Sequence, residues 1–160
     1  MILVTVGTLD KPFDRLVKGI DQIANIAGEK ILAQIGCSSY IPEHCDYFRF
    51  CEREEMLSYI QKASIIISQA GFATIGNTIR FSKPLIIVPR EAKYGEAIDK
   101  QYELAEYLAS TCESILCVRD VSRLANAIKE IRNVNVSYNF STTIPDIINE
   151  FITDTFFMKD

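Results

Sequence analysis

The chain has 160 residues, 48% of them hydrophobic, enough for one well-buried core and too short for two ordinary domains, so 1–160 is expected to form a single domain. The 17 Lys and Arg against 21 Asp and Glu give a formal charge of −4, and no basic run interleaved with aromatics is present to neutralise a phosphate backbone, which argues against nucleic acid as a partner. Five cysteines without CxxC pairs, with His44 the single histidine, leave no zinc pattern and no Ser/His/Asp or Cys/His constellation; they read as reduced thiols of a cytoplasmic protein.

Met1 to Val6 lacks the basic flank of a signal peptide, and no apolar run approaches the ~18 residues of a membrane span. Residues 2–6 form the first predicted strand. Gly7 and Thr8 follow, with Asp10 and Pro12 at a helix start; free backbone N–H groups there suit an anion, or serve a helix cap alone. Phe13, Leu16, Val17, Ile20, Ile23, Ala24 and Ala27 make one helical stripe, closed by Gly28 where a left-handed cap fits. Strands are predicted at 30–35 and 47–50, and Glu52, Glu54 and Glu55 then sit near the start of a helix as a solvated face.

A strand at 64–67 delivers the chain to Ser68-Gln69-Ala70-Gly71, which opens a helix carrying Phe72, Ala73, Thr74 and Asn77. Thr74 and Asn77 share a face by their i, i+3 spacing. The helix amides would hold a diphosphate and Asn77 a sugar hydroxyl; by spacing alone, a plain N-terminal cap reads equally well. After a strand at 85–88 come Arg90 and, at the next helix start, Lys100 and Gln101: the two cations are natural phosphate partners or ordinary solvated charges. A strand at 114–117 precedes the stripe Val121, Leu124, Ala125, Ile128 and Ile131, begun by Asp120 as N-cap. A polar connector over 133–143 leads to an amphipathic helix over 142–157, whose Ile148, Phe151, Ile152 and Phe156 either cover the chain's own sheet or dock a partner. The alternation predicts an α/β fold: a parallel, doubly wound sheet with helices on both faces and ligands bound beyond the carboxyl ends of its strands.

Taken in order, Ile2-Leu3-Val4-Thr5-Val6-Gly7-Thr8, Pro12-Phe13-Asp14-Arg15-Leu16, Ser68-Gln69-Ala70-Gly71, Lys83-Pro84-Leu85-Ile86-Ile87-Val88-Pro89-Arg90 and Gln101-Tyr102-Glu103-Leu104-Ala105 resemble the carboxyl-terminal domain of glycosyltransferase family 28. Within it, the chain is similar to the stand-alone donor-binding subunits of two-component UDP-GlcNAc transferases that act on dolichol-linked oligosaccharide or bacterial exopolysaccharide. The resemblance implies a Rossmann-like sheet, the carboxyl-terminal half of a GT-B enzyme. It implies a UDP-sugar donor, an inverting, metal-independent transfer without a cofactor, and a membrane-attached partner that brings a lipid-linked acceptor and the catalytic base. The location implied is cytoplasmic, peripheral at the membrane face. By the same resemblance Gly7 and Thr8 lie near the phosphates and donor sugar, the loop from Phe50 reads the base, Ala70 to Thr74 form the diphosphate turn, Asn77 meets the ribose, and Lys100 and Gln101 meet the donor sugar.

Three departures stand out: Gln69 replaces the family's His, Phe72-Ala73 replaces its Gly or Ser after the turn, and Asn77 replaces its ribose-binding Glu. Losing a charged hydrogen bond for a neutral one weakens ribose binding by roughly 1 kcal/mol, at most about tenfold. The alternative is therefore a non-catalytic, degenerate relative that stabilises or regulates a membrane glycosyltransferase. A domain for some other nucleotide would need the GxGxxG fingerprint, which this chain lacks.

Overall fold

The computed structural model describes residues 1–96 and 100–138. Strands and helices alternate through them: β1 (Ile2–Thr5), α1 (Asp14–Ile23), β2 (Ile31–Gln34), β3 (Asp46–Phe48), α2 (Arg53–Lys62), β4 (Ile65–Ser68), α3 (Phe72–Arg80), β5 (Leu85–Ile87), α4 (Gln101–Thr111), β6 (Ile115–Cys117) and α5 (Leu124–Ile131). These strands pair in parallel in the order β3-β2-β1-β4-β5-β6. Every predicted strand forms, within two residues of its expected ends.

The strands are almost wholly apolar because helices cover both faces. Ile2, Val4, Ile31, Ala33, Ile65 and Ile67 pack with Leu16, Val17 and Ile20 of α1 and with Leu124, Ile128 and Ile131 of α5. The alternate residues Leu3, Ile66, Leu85 and Ile87 pack the other face with Ile60 of α2, Ile75 of α3 and Ala105 of α4. Each fully buried Ile or Leu contributes about 1.5–3 kcal/mol over exposure, so this double core holds the sheet and leaves the edge loops free for ligands. α1 ends in a 3-10 turn, Ala24–Ile26, and Gly28 takes the left-handed conformation (φ 78°) expected of it. Asp120 accepts from the Ser122 N–H at 3.0 Å, the expected cap before α5.

Strand order reverses at β1, with β2 and β3 to one side and β4, β5 and β6 to the other. Thr5 is level with both Gln34 and Ser68, so the last residues of three central strands stand side by side, and the crevice opens beyond them. On the opposite, amino edge, the Tyr138 hydroxyl donates to the Lys83 carbonyl and the Ser137 N–H to Ser114 Oγ at 2.9 Å. The predicted helix over 142–157, with Ile148, Phe151, Ile152 and Phe156, lies outside the described residues. No helix among the described residues is long and apolar enough to cross a membrane.

Candidate functional site

Beyond the ends of β1, β2 and β4 lies a cleft of about 470 Å³ between α2 and α3. Thr5 and Gln34, both buried, form its floor; Gly7 and Thr8 lie on one side, Gln69, Gly71, Phe72, Ala73, Thr74 and Asn77 on another, and Cys51, Arg53, Met56, Leu57 and Ile60 along α2. Among the described residues, no Asp, Glu or His lines it. Two other hollows suit an anion less: one of about 530 Å³ at the amino edge carries Glu29, Glu43 and Asp46, and one of about 400 Å³ beside β6 sets Glu106 and Glu130 among its arginines.

Gly7 makes the first turn of the cleft. Its φ of 75° is left-handed, and a Cβ there would stand 2.1 Å from Gln69 Nε2, so both conformation and space require glycine. Its N–H donates to Thr5 Oγ1 at 3.2 Å, and the Thr5 hydroxyl donates to Gln34 Oε1. Gln69 is oriented from below: its Oε1 accepts from Arg90 Nε at 2.5 Å. A guanidinium has donors only, so the amide oxygen must face Arg90 and the amide nitrogen must face Gly7 and Gly71.

α3 begins at Gly71 with no side-chain cap, and its first intrahelical bond runs from Ile75 N to Gly71 O at 3.0 Å. The N–H groups of Phe72, Ala73 and Thr74 therefore face the cleft side without a capping oxygen, at the positive end of the helix dipole. α2 also starts uncapped, at Glu52, with Arg53 as its first residue. Burial pushes the Cys51 thiol up, aided by Glu55 and Glu52, which favours its protonated form. The arrangement can bind an anion and hydrogen-bond a polar ligand; among the described residues its lining contains no group suited to general base catalysis.

The cleft gathers Gly7, Thr8, Gln69, Gly71, Phe72, Ala73, Thr74 and Asn77 from the predicted set. It does not gather the rest. Arg90, expected to face a phosphate, is fully buried: besides Gln69, its guanidinium donates to the carbonyls of Val6 (3.0 Å), Lys11 (3.2 Å), Pro12 (3.0 Å) and Glu96 (3.4 Å), over the Phe13 ring. Burial pulls its pKa below the ordinary arginine value, Glu96 acting against this. Lys100 is exposed outside the lining and pairs with Glu103 at 3.2 Å, while Gln101 turns inward to accept from Arg90 N at 3.3 Å. Ala70 is buried in the core beneath the turn, and the half-exposed Phe50 ring stands near Gly36. Thr5, Gln34 and Arg53 were missed. Gln34 was legible as the polar residue breaking the run Ile31-Leu32-Ala33-Gln34-Ile35, and Arg53 as a cation at the wrong end of a helix dipole.

The profile of the glycosyltransferase family 28 C-terminal domain matches residues 1–148. The chain is 27% identical over 146 residues to the human UDP-N-acetylglucosamine transferase subunit ALG13, covering 79% of this chain and 12% of that protein. Among solved structures it resembles the kitacinnamycin glycotransferase (TM-score 0.62, 14% identity, 82% of this chain and 34% of that one). Likewise similar are the calicheamicin glycosyltransferase CalG4 (0.61, 12%, 82% and 34%) and the glycosyltransferase VinC in complex with DTDP (0.56, 17%, 82% and 33%). At these identities the structural likeness establishes the fold. The chain spans about an eighth of its curated relative and about a third of each solved enzyme.

Proposed function

Since the chain belongs to the glycosyltransferase family 28 C-terminal domain family, we propose that it is the donor-binding half of an inverting glycosyltransferase, holding a UDP-sugar in the cleft between α2 and α3. The observation that carries this is the cleft itself: two uncapped helix starts, a glycine turn and an oriented amide converge on a lining that has no carboxylate among the described residues. Such a lining favours a diphosphate and, among the described residues, offers no base; the reading assigns the acceptor and the base to a second, membrane-attached polypeptide. The name of the human relative, a UDP-N-acetylglucosamine transferase subunit, supports GlcNAc as the sugar and a divided enzyme. A lipid-linked acceptor and a position at the cytoplasmic membrane face, with the apolar stripe of Phe151 and Phe156 as the docking segment, complete the reading.

The rival is a non-catalytic relative that stabilises a membrane partner, with Gln69 and Asn77 as marks of decay. Against decay stands the geometry of Gln69, whose amide is fixed by a buried arginine and aimed at the glycine turn. Calorimetry with UDP, UDP-GlcNAc and other nucleotides decides between them. Weak but measurable heat with uridine diphosphates supports the donor-binding reading; no heat with any nucleoside diphosphate at millimolar concentration overturns it.

A further inference from the structure

Two polar groups of the cleft have no partner among the described residues. Gln34 is 3% exposed, its side-chain oxygen is taken by the Thr5 hydroxyl, and its amide nitrogen has no acceptor among the described residues. That nitrogen is not sealed in the core, so it opens on the cleft that Gln34 lines. An amide donor that opens on the cleft without a protein acceptor is free to donate to water or to a ligand oxygen seated there.

Arg53 is the second group. It stands at the first position of α2, where its charge adds to the positive end of the helix dipole, only partly compensated by Glu54 and Glu55 in the same turn. Among the described residues its guanidinium meets no ion-pair or hydrogen-bond partner, and the cleft lining holds no carboxylate to balance it. Arg53 is exposed where it lines the cleft, so its guanidinium is free to meet an anion there. The other two candidate cations are committed elsewhere, Arg90 to buried carbonyls and Lys100 to Glu103.

The geometry points to Arg53 and Gln34 as specificity-determining contacts of the donor site. Arg53 supplies the cation for the phosphates of a nucleoside diphosphate, and Gln34 donates its amide N–H to an oxygen of the same ligand. This rests on the donor-binding reading above, and the test separates the two. Titrate UDP and the uncharged nucleoside uridine into the wild-type chain and into Arg53→Gln, Arg53→Lys and Gln34→Glu, with thermal unfolding of each as the folding control. Arg53→Gln is expected to weaken UDP by about tenfold or more, flatten the salt dependence of its binding and change uridine binding by less than about twofold. Arg53→Lys recovers part of the loss, and Gln34→Glu removes the N–H and repels the diphosphate, so UDP binding falls below detection. Unchanged UDP affinity in Arg53→Gln, or an equal loss for uridine, overturns the assignment to Arg53; wild-type UDP affinity in a folded Gln34→Glu overturns that to Gln34. If the wild-type chain binds no nucleotide, the donor-binding reading falls, and this inference with it.

Discussion

Arg90 holds the cleft from beneath, and its sequence position suggested the opposite. An arginine just past a strand end reads as a solvated or ligand-facing charge because charged side chains are seldom fully buried unpaired. Here five fixed acceptors around the side chain make burial tolerable, and they come from loops far apart in sequence, which no local pattern reveals. Arg90→Met would strand four buried carbonyls and the Gln69 amide oxygen, so a loss of about 3–5 kcal/mol is expected, and a melting temperature lower by roughly 10 °C or more. Arg90→Lys should not rescue it, since one ammonium cannot replace the planar fork. A near-native melting temperature in either variant would show that the network adds little.

Asp21 is a second buried charge that the sequence left unread, hidden within the apolar stripe of α1. Burial pushes its carboxyl up, but donations from the Glu43 and His44 N–H groups, the Tyr40 hydroxyl and His44 Nδ1 outweigh this and hold its pKa at about 2, below the ordinary 3.8. A depressed folded-state pKa means that the contribution is present above pH ~4 and is lost as pH falls towards 2. The shift corresponds to about 2 kcal/mol. Urea unfolding of wild type and Asp21→Asn between pH 7 and 2 should give a stability gap that shrinks below pH 4. A gap independent of pH would place the role of Asp21 in packing alone.

At the scale of elements, the sheet was legible because buried parallel strands are short, apolar and β-branched, and the helix stripes of α1 and α5 keep a period of 3.6. The turn after β4 was legible as a helix start, and the cleft's α2 wall was not, since Glu52, Glu54 and Glu55 read as a solvated face that concealed Arg53 among them. The two cleft glycines also differ in a way the sequence conceals. Gly71 has an extended backbone (φ −92°, ψ 122°) that any residue adopts, and a Cβ on it would meet Gln69 Nε2 at an ordinary 3.5 Å. Gly71→Val should therefore fold with nearly the wild-type melting temperature while its branched side chain obstructs the mouth of the cleft and abolishes nucleotide binding. Gly7→Ala should lose binding and stability together, by about 1–3 kcal/mol, because left-handed backbone and a 2.1 Å collision are both imposed. Equal melting temperatures for the two variants would contradict this distinction.

At the scale of the whole molecule, the donor-binding proposal treats this chain as one half of a divided enzyme. Chain reversal at β1 places the cleft at the carboxyl edge, the uncapped starts of α2 and α3 face it, and among the described residues its lining offers donors and no base. Binding and transfer should then be separable properties of the isolated chain. A ligand that binds only the folded state stabilises it by RT ln(1 + [L]/Kd), so UDP-GlcNAc at ~100 times its Kd should add about 2.7 kcal/mol and raise the melting temperature by roughly 5–10 °C for a domain of this size. In the same solution, release of UDP should remain at the uncatalysed rate, whatever soluble acceptor is supplied, until membranes carrying the second half are added. Turnover by the isolated chain would mean that a base lies within it after all, and the division of labour proposed for the two halves would have to be abandoned.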